Sequence, residues 1–536
     1  MNNKAFTLVE LIAIIVVLAA IFLVSFPTFI NMTKSNEEKK YTQMVEDLCL
    51  AGETYIYSNI EDFEELSTSS SNIQITVESL INDGIVNKNL TNPETKKSVK
   101  NDNLSYTVLG DKSLHCEYKS SSINIILPMG LTPIIYNGTN WEVADISKEW
   151  YNYSNQEWAN AAIISDGVSK TPGTQLTDLN NQVKAMFVYI PRYEYKIEGE
   201  YGKGGTSSAL PGEIEVIFVS KSQKEPTSGY TIHPAFTFGE KELDGIWVGK
   251  FEMSHVEGIN KSLSCNATSC STAGGLRVLP DVQPLHSNSI SSLFYAIRTM
   301  GKEFKISTDT HMIKNSEWGA VAYLSQSKYG KYGNDDYYGT YQVQFDLDGN
   351  NILETYTLSY KEIYMNKESN YKTGYSNGTP SESNTYEQCP YDDLRDRGFG
   401  KGACGGGAST TGNITGAYDM SGGSVEYVMG YYNFGNTIWG ANSNKNDAGF
   451  ENAPDSKYYN EYTEQSIVSC TDTMCKGHAL DETEDWYYDH HKEGINKTNP
   501  WILRSGDKGY GIFEGIFYSL GSIGGGSATR PVIVSN

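Results

Sequence analysis

From Leu11 to Val24 every residue is apolar, and the run continues to Ile30, admitting Ser25, Pro27 and Thr28. At a helical rise of about 1.5 Å per residue, residues 6–30 are long enough to cross a bilayer core of about 30 Å. Lys4 places a positive charge ahead of the run and marks that end as cytoplasmic. After it, Lys34-Ser35-Asn36-Glu37-Glu38-Lys39-Lys40 reads as a water-facing stretch. A secretory signal peptide would carry a small-residue cleavage site after the run. Here a small residue, Ala5, precedes it instead. Glu10 lies at the start of the run, where a carboxylate is costly and marks a partner or a function.

The Ala5-Phe6 junction, Glu10 and Pro27 resemble the type IV pilin and pseudopilin signal. The likeness covers about the first forty residues; Ala5 stands where that family more often has glycine. It implies cleavage between Ala5 and Phe6 by a prepilin peptidase, then methylation of the new amine on Phe6. It also implies that Glu10 pairs with that amine on a neighbouring subunit during assembly, and that Pro27 kinks the helix. The implied partners are other pilin subunits, reached through the N-terminal helix, the peptidase/methyltransferase and the membrane. The implied location is the cytoplasmic membrane as a single-pass protein, then an extracellular filament at the cell surface. From the residues alone, the other reading is an uncleaved signal anchor, which would leave Glu10 as an unpaired intramembrane charge.

Tyr41, Met44, Val45, Leu48, Ala51 and Tyr55 recur at helical spacing, so the helix is expected to continue past the membrane. Strands are expected at Ile73–Val77, Tyr106–Leu109 and Ile123–Leu127, with serine-rich loops at 67–71 and 120–122. The chain is 536 residues long and 39% apolar, enough for a substantial core and for about two or three domains. Asp plus Glu outnumber Lys plus Arg, 65 to 42, for a net charge of −23. That balance excludes nucleic-acid binding through a large basic surface. The abundant Tyr (38) and Gly (51) suit a β-rich, loop-rich exterior.

Near Pro133 the texture becomes rich in Tyr, Trp, Gly and Asn. Met186–Ile190 and Glu215–Val219 read as buried strands. Four landmarks follow in order. Gly245–Ser254 reads as a strand. Asn315–Leu324 reads as a helix with Ser316 as its N-cap. Gly416–Tyr427, containing Tyr418-Asp419-Met420-Ser421-Gly422, reads as a glycine-hinged turn and a strand. Leu503-Arg504-Ser505-Gly506 and Arg530-Pro531-Val532 close the chain. This order resembles the formylglycine-generating-enzyme-type domain, a variant of the C-type lectin fold, over residues 185–536. Gly423-Ser424-Val425-Glu426-Tyr427 departs from it, lacking the usual Asn and Trp pair.

The expected fold class is therefore α+β. A leader (1–5) precedes a long hydrophobic pilin helix (6–58, with 6–30 in the membrane) and a small antiparallel β head (59–130). A large, irregular, C-type-lectin-like α+β domain (131–536) follows. No enzyme is expected. Enzymes of the resembling family use a Cys pair near the C-terminal strands, and residues 501–536 contain no Cys. There is no H-E-x-x-H and no P-loop; Gly374-Tyr375-Ser376-Asn377-Gly378 matches G-x-S-x-G but lacks the strand and helix of a nucleophile elbow. No cofactor is required. Asp346-Leu347-Asp348-Gly349-Asn350-Asn351 offers oxygen ligands to Ca²⁺, and His478, Asp481, Asp489, His490 and His491 offer a metal set; a turn and a solvated acidic loop are the simpler readings. The eight cysteines allow 105 pairings; Cys265 with Cys270, Cys389 with Cys404 and Cys470 with Cys475 lie near each other in sequence, which leaves Cys49 and Cys116 to tie helix to sheet. An oxidising exterior favours disulfides; the two C-x₄-C pairs leave zinc as the alternative. Tyr510, Phe513, Phe517 and Tyr518 on a Gly/Ser scaffold are the expected ligand face, in an adaptable aromatic surface; for Phe513 and Phe517, whose even spacing suits one face of a strand, the core is the equal alternative. In lectin-fold proteins resembling this one, the segment before the final strand lines that face. The combined expectation is a minor or tip subunit of a type IV pilus-like filament with an adhesive distal domain that binds a glycan or a protein. A pseudopilin of a type II secretion or competence system is the alternative, and a surface-displayed enzyme of the formylglycine-generating type is a third.

Overall fold

The computed structural model describes residues 39–63, 66, 71–93, 98–100, 102–119, 123–197, 211–337, 339–345, 353–377, 389–394, 404–433, 448–463, 475–484, 486–506, 514–524 and 526–535. The chain divides into two compact units, Met1–Ser122 and Ile123–Asn536.

The first unit is a helix laid on a small sheet. The helix, residues 39–58, buries Met44, Leu48 and Ile56 on one face. The sheet is antiparallel, ordered Asn72–Thr76, Asn103–Val108, Leu114–Lys119. Alternation directs Leu104, Tyr106 and Val108 inward, where all three are buried. Gly52 permits the close approach of helix and sheet, because a Cβ there would meet the Tyr106 hydroxyl at 2.1 Å. That hydroxyl donates to the Cys49 carbonyl at 2.7 Å. Cys49 and Cys116 form a disulfide between helix and sheet.

The second unit is built on an eight-stranded antiparallel sheet. Its order is Thr310–Met312, Pro531–Val534, Gly245–Gly249, Val183–Pro191, Asn160–Ile164, Thr132–Tyr136, Trp141–Val143, Gln175–Leu176. Val183–Pro191 and Gly245–Gly249 are central and covered on both faces, so they read as nearly continuous apolar runs. A four-stranded sheet, ordered Asn460–Thr463, Glu426–Asn433, Trp501–Arg504, Leu520–Ser522, completes the larger framework. The helix Asn315–Ser325 is buried along its whole length. Gly319 lets it pass against the chain, since a Cβ there would lie 2.0 Å from the Gly477 carbonyl oxygen.

The expected α+β class with a long hydrophobic helix is corrected. Strands dominate the described residues. Their α-helices are five: 39–58, Val77–Asn82, Leu179–Gln182, Ile290–Glu303 and Asn315–Ser325. No helix among them is long and apolar enough to cross a membrane. The longest, 39–58, exposes Lys39, Lys40, Glu46 and Asp47, so it is amphipathic rather than apolar. The apolar run at 6–30 lies outside the described residues. Two smaller readings change as well. Residues 123–127 form no strand and belong to the second unit. Their carbonyls instead accept from side chains: Asn124 from the Tyr189 hydroxyl at 2.9 Å, and Ile126 from the Trp247 indole at 3.0 Å. The N-cap of helix Asn315–Ser325 is Lys314, not Ser316; the Glu317 carboxylate accepts from the Lys314 backbone N–H at 2.8 Å.

The four sequence landmarks meet around two buried guanidinium groups. Arg530 forms a bidentate ion pair with Glu426 and donates to the carbonyls of Gly249, Tyr418 and Asp419 at 3.2, 3.0 and 3.1 Å. Arg504 donates to Asn315 Oδ1 at 2.8 Å and to the carbonyls of His478, Ala479 and Tyr518 at 2.8, 2.8 and 3.1 Å. These motif residues therefore hold the framework.

A third buried network has a pH consequence. His311 lies between Glu317 at 3.0 Å and Asp309 at 3.2 Å, stacked on Phe238. Burial lowers the His311 pKa, but the two carboxylates outweigh it and the net shift is upward. Because the folded state binds this proton more tightly, the stabilisation is complete below the ordinary value of about 6.5. It is lost as pH rises through the raised folded value. Asp309 is held down to about 2 against its own burial by His311 and Arg298, so its contribution is present above 3.8 and lost as pH falls through about 2. We expect the thermal midpoint of the full chain to fall on going from pH ~6 to pH ~9. His311→Gln should flatten that slope, whereas an equal slope in both proteins would contradict the assignment.

Candidate functional site

A concavity of 490 Å³ opens in the second unit where the loop after Ser254–His255 faces Gln283. Glu257, Ile259, Asn260, Lys261, Ser262 and Gln283 line it, with Gly258. It is shallow and open to solvent.

The loop is fixed from several sides. His255 accepts from the Glu257 N–H at 3.0 Å through Nδ1, and its Nε2 lies 3.2 Å from the Thr272 carbonyl. This geometry suits the neutral ring protonated on Nε2, and burial pushes the His255 pKa below its ordinary value. Gly258 takes a φ of +99°, a conformation glycine allows without strain. Asn288 clamps the far end: its Oδ1 accepts from Leu263 N–H at 2.8 Å and its Nδ2 donates to the Lys261 carbonyl at 3.0 Å. The Cys265–Cys270 disulfide closes the next turn. On the opposite side, Gln283 donates to the Asn370 carbonyl at 3.0 Å, and Asp281 binds Lys372 at 2.7 Å. The His286 N–H donates to the Ile259 carbonyl at 2.9 Å, and the His286 ring meets the Ser424 hydroxyl at 2.8 Å.

Chemically the lining suits recognition. Its two ions, Glu257 and Lys261, pair with each other at 2.6 Å. The Lys261 ammonium holds the exposed Glu257 carboxyl below the usual carboxylate range. Ser424, beside His286, is buried, and its backbone N–H donates to the Glu252 carboxylate at 2.9 Å.

The residues singled out in the sequence fall elsewhere. Ala5, Phe6 and Glu10 lie outside the described residues, as do Tyr510, Phe513, Cys470 and Asp346–Asn351. Phe517 and Tyr518 are buried, which for Phe517 is the core alternative and for Tyr518 differs from the expected exposed face. Phe517 packs edge-on against Trp486 at 5.3 Å. The Asp489 carboxylate accepts from the N–H groups of Gly515 and Phe517 at 2.6 and 2.9 Å, and burial pushes its pKa up to about 7. The segment is thus wound onto a buried acid. The histidines and acids near it do not converge. His478 is buried, its Nδ1 against the Tyr462 hydroxyl at 2.7 Å, and burial with Lys314 and Arg504 brings its pKa down to about 3. His490 meets Glu493, and His491 meets Asp481. No group of three metal-ligating residues occurs among the described residues. Cys389–Cys404 also form a disulfide, and Cys475 is disulfide-bonded, so Cys265, Cys270 and Cys475 are not available as zinc thiolates. Ser376 is a buried strand residue, not the tip of an elbow. The concavity itself was marked in the sequence only by a polar loop, Glu257–Ser262, abutting a short Cys-x₄-Cys turn.

A scan against protein-family models gives no match, and a search of curated proteins gives none either. The likenesses to pilins and to formylglycine-generating enzymes therefore rest on the residues quoted for them.

Proposed function

We propose that the chain is a low-copy, distal subunit of a type IV pilus-like surface filament, and that its larger unit is an extracellular ligand-binding module. One observation carries the filament half: Glu10 follows the Ala5-Phe6 junction and opens the apolar run from Leu11 to Val24. A carboxylate there needs a partner, and a subunit amine at Phe6 supplies one. The size of the second unit supports a distal, low-copy position, because such a mass on every subunit would crowd a helical filament. The disulfides suit an oxidising exterior. The pinned, open concavity at 257–262 and Gln283 supports binding.

Processing is tested by Ala5→Trp. The variant should accumulate in the membrane fraction with its leader attached and should be missing from filaments. A mature-sized band from that variant would refute cleavage after Ala5.

A further inference from the structure

We propose that the concavity lined by Glu257, Ile259, Asn260, Lys261, Ser262 and Gln283 binds a neutral saccharide, an assignment that rests on the larger unit being a ligand-binding module. Charge is the first argument. Glu257 and Lys261 neutralise each other at 2.6 Å, so the lining offers no net charge to an anion or a cation. A charged peptide seated there would lose hydration without gaining a counter-charge.

Hydrogen-bonding capacity is the second. Asn260 is exposed, and neither its amide nor the Ser262 hydroxyl is engaged by another described side chain or backbone group. Gln283 spends one N–H on Asn370 and keeps its side-chain carbonyl. Amide and hydroxyl groups each combine donor and acceptor capacity, which matches sugar hydroxyls that donate and accept at once. Ile259 and Gly258 supply a small apolar surface for the C–H face of a ring. Preorganisation is the third. His255, Asn288 and the Cys265–Cys270 disulfide fix the loop before any ligand arrives, so little ordering cost remains.

The test is a saccharide array probed with the full chain in detergent, alongside Asn260→Ala and Gln283→Ala. Asn260 is exposed on its loop, and the thermal midpoints of the variants are compared because Gln283→Ala also removes the bond to the Asn370 carbonyl. We expect a neutral saccharide to be bound, with about a tenfold loss of affinity in each variant. A saccharide bound equally by all three proteins would place binding elsewhere and overturn the site. An array on which no neutral saccharide is bound, or only charged ones are, would overturn the ligand class. A peptide or protein ligand whose binding falls in the same two variants would overturn the saccharide assignment while leaving the binding-module reading in place.

Discussion

Arg530→Ala is expected to destabilise the larger unit by about 3–5 kcal/mol, enough to remove most soluble folded chain. Arg530 is fully buried and is the cation in contact with Glu426, itself fully buried. Glu252 and Asp419 stand nearby, also fully buried. Burial, then mutual repulsion, pushes Glu252 well above the usual carboxylate range, and Arg530 opposes that rise. Removing the guanidinium leaves three buried acids without a compensating cation. It also takes a donor from the carbonyls of Gly249, Tyr418 and Asp419, of which Asp419 keeps the Ser505 hydroxyl at 3.0 Å. Arg530→Lys should recover little, because one ammonium cannot reach Glu426 and three carbonyls in a planar fork. Arg530→Met combined with Glu426→Gln should recover more, since it removes the unpaired charge as well. The check is urea unfolding of the full chain for each variant. A loss below about 1 kcal/mol in Arg530→Ala would contradict the account of the framework.

Glu10→Ala is expected to leave membrane insertion intact and to remove the chain from filaments. The alanine makes the run more apolar, so partition into the membrane cannot suffer. What is lost is the carboxylate that would meet the Phe6 amine of a neighbour. Glu10→Gln should also fail, because an amide cannot neutralise an ammonium in an apolar setting. Quantifying the chain in membrane and sheared-filament fractions distinguishes the outcomes. Normal amounts of Glu10→Ala in filaments would remove Glu10 from the assembly role.

What the sequence revealed of the fold depended on burial on both faces. Met186–Ile190 lies in the strand Val183–Pro191, and Glu215–Phe218 of the expected run 215–219 in the strand Ile214–Phe218; nearly all of their side chains are buried. The expected strands at 73–77 and 106–109 overlap Asn72–Thr76 and Asn103–Val108, whereas Leu114–Lys119 was not anticipated. Residues 123–127 look like a strand because they are equally apolar. Their backbone is instead satisfied by Tyr189 and Trp247, which lie far away in sequence. Phe517 was open to both readings, and Tyr518 read as exposed, for a related reason. Aromatics among Gly and Ser look alike on a binding surface and over a buried acid, and only the contacts of Asp489 separate the cases. The concavity was the least legible element. Its residues are ordinary polar loop residues, and their role comes from His255, Asn288 and the disulfide that fix them. The long apolar helix expected at the N-terminus is not among the described elements, and the described helix at 39–58 is amphipathic.

The central claim is that this chain enters a filament, and peptide mass spectrometry of filaments sheared from the cells that make it tests that most directly. The account predicts a methylated N-terminal peptide beginning at Phe6, at low stoichiometry relative to a major subunit. An intact peptide spanning Met1 to Glu10 in the membrane fraction, with no chain in the filaments, would contradict it.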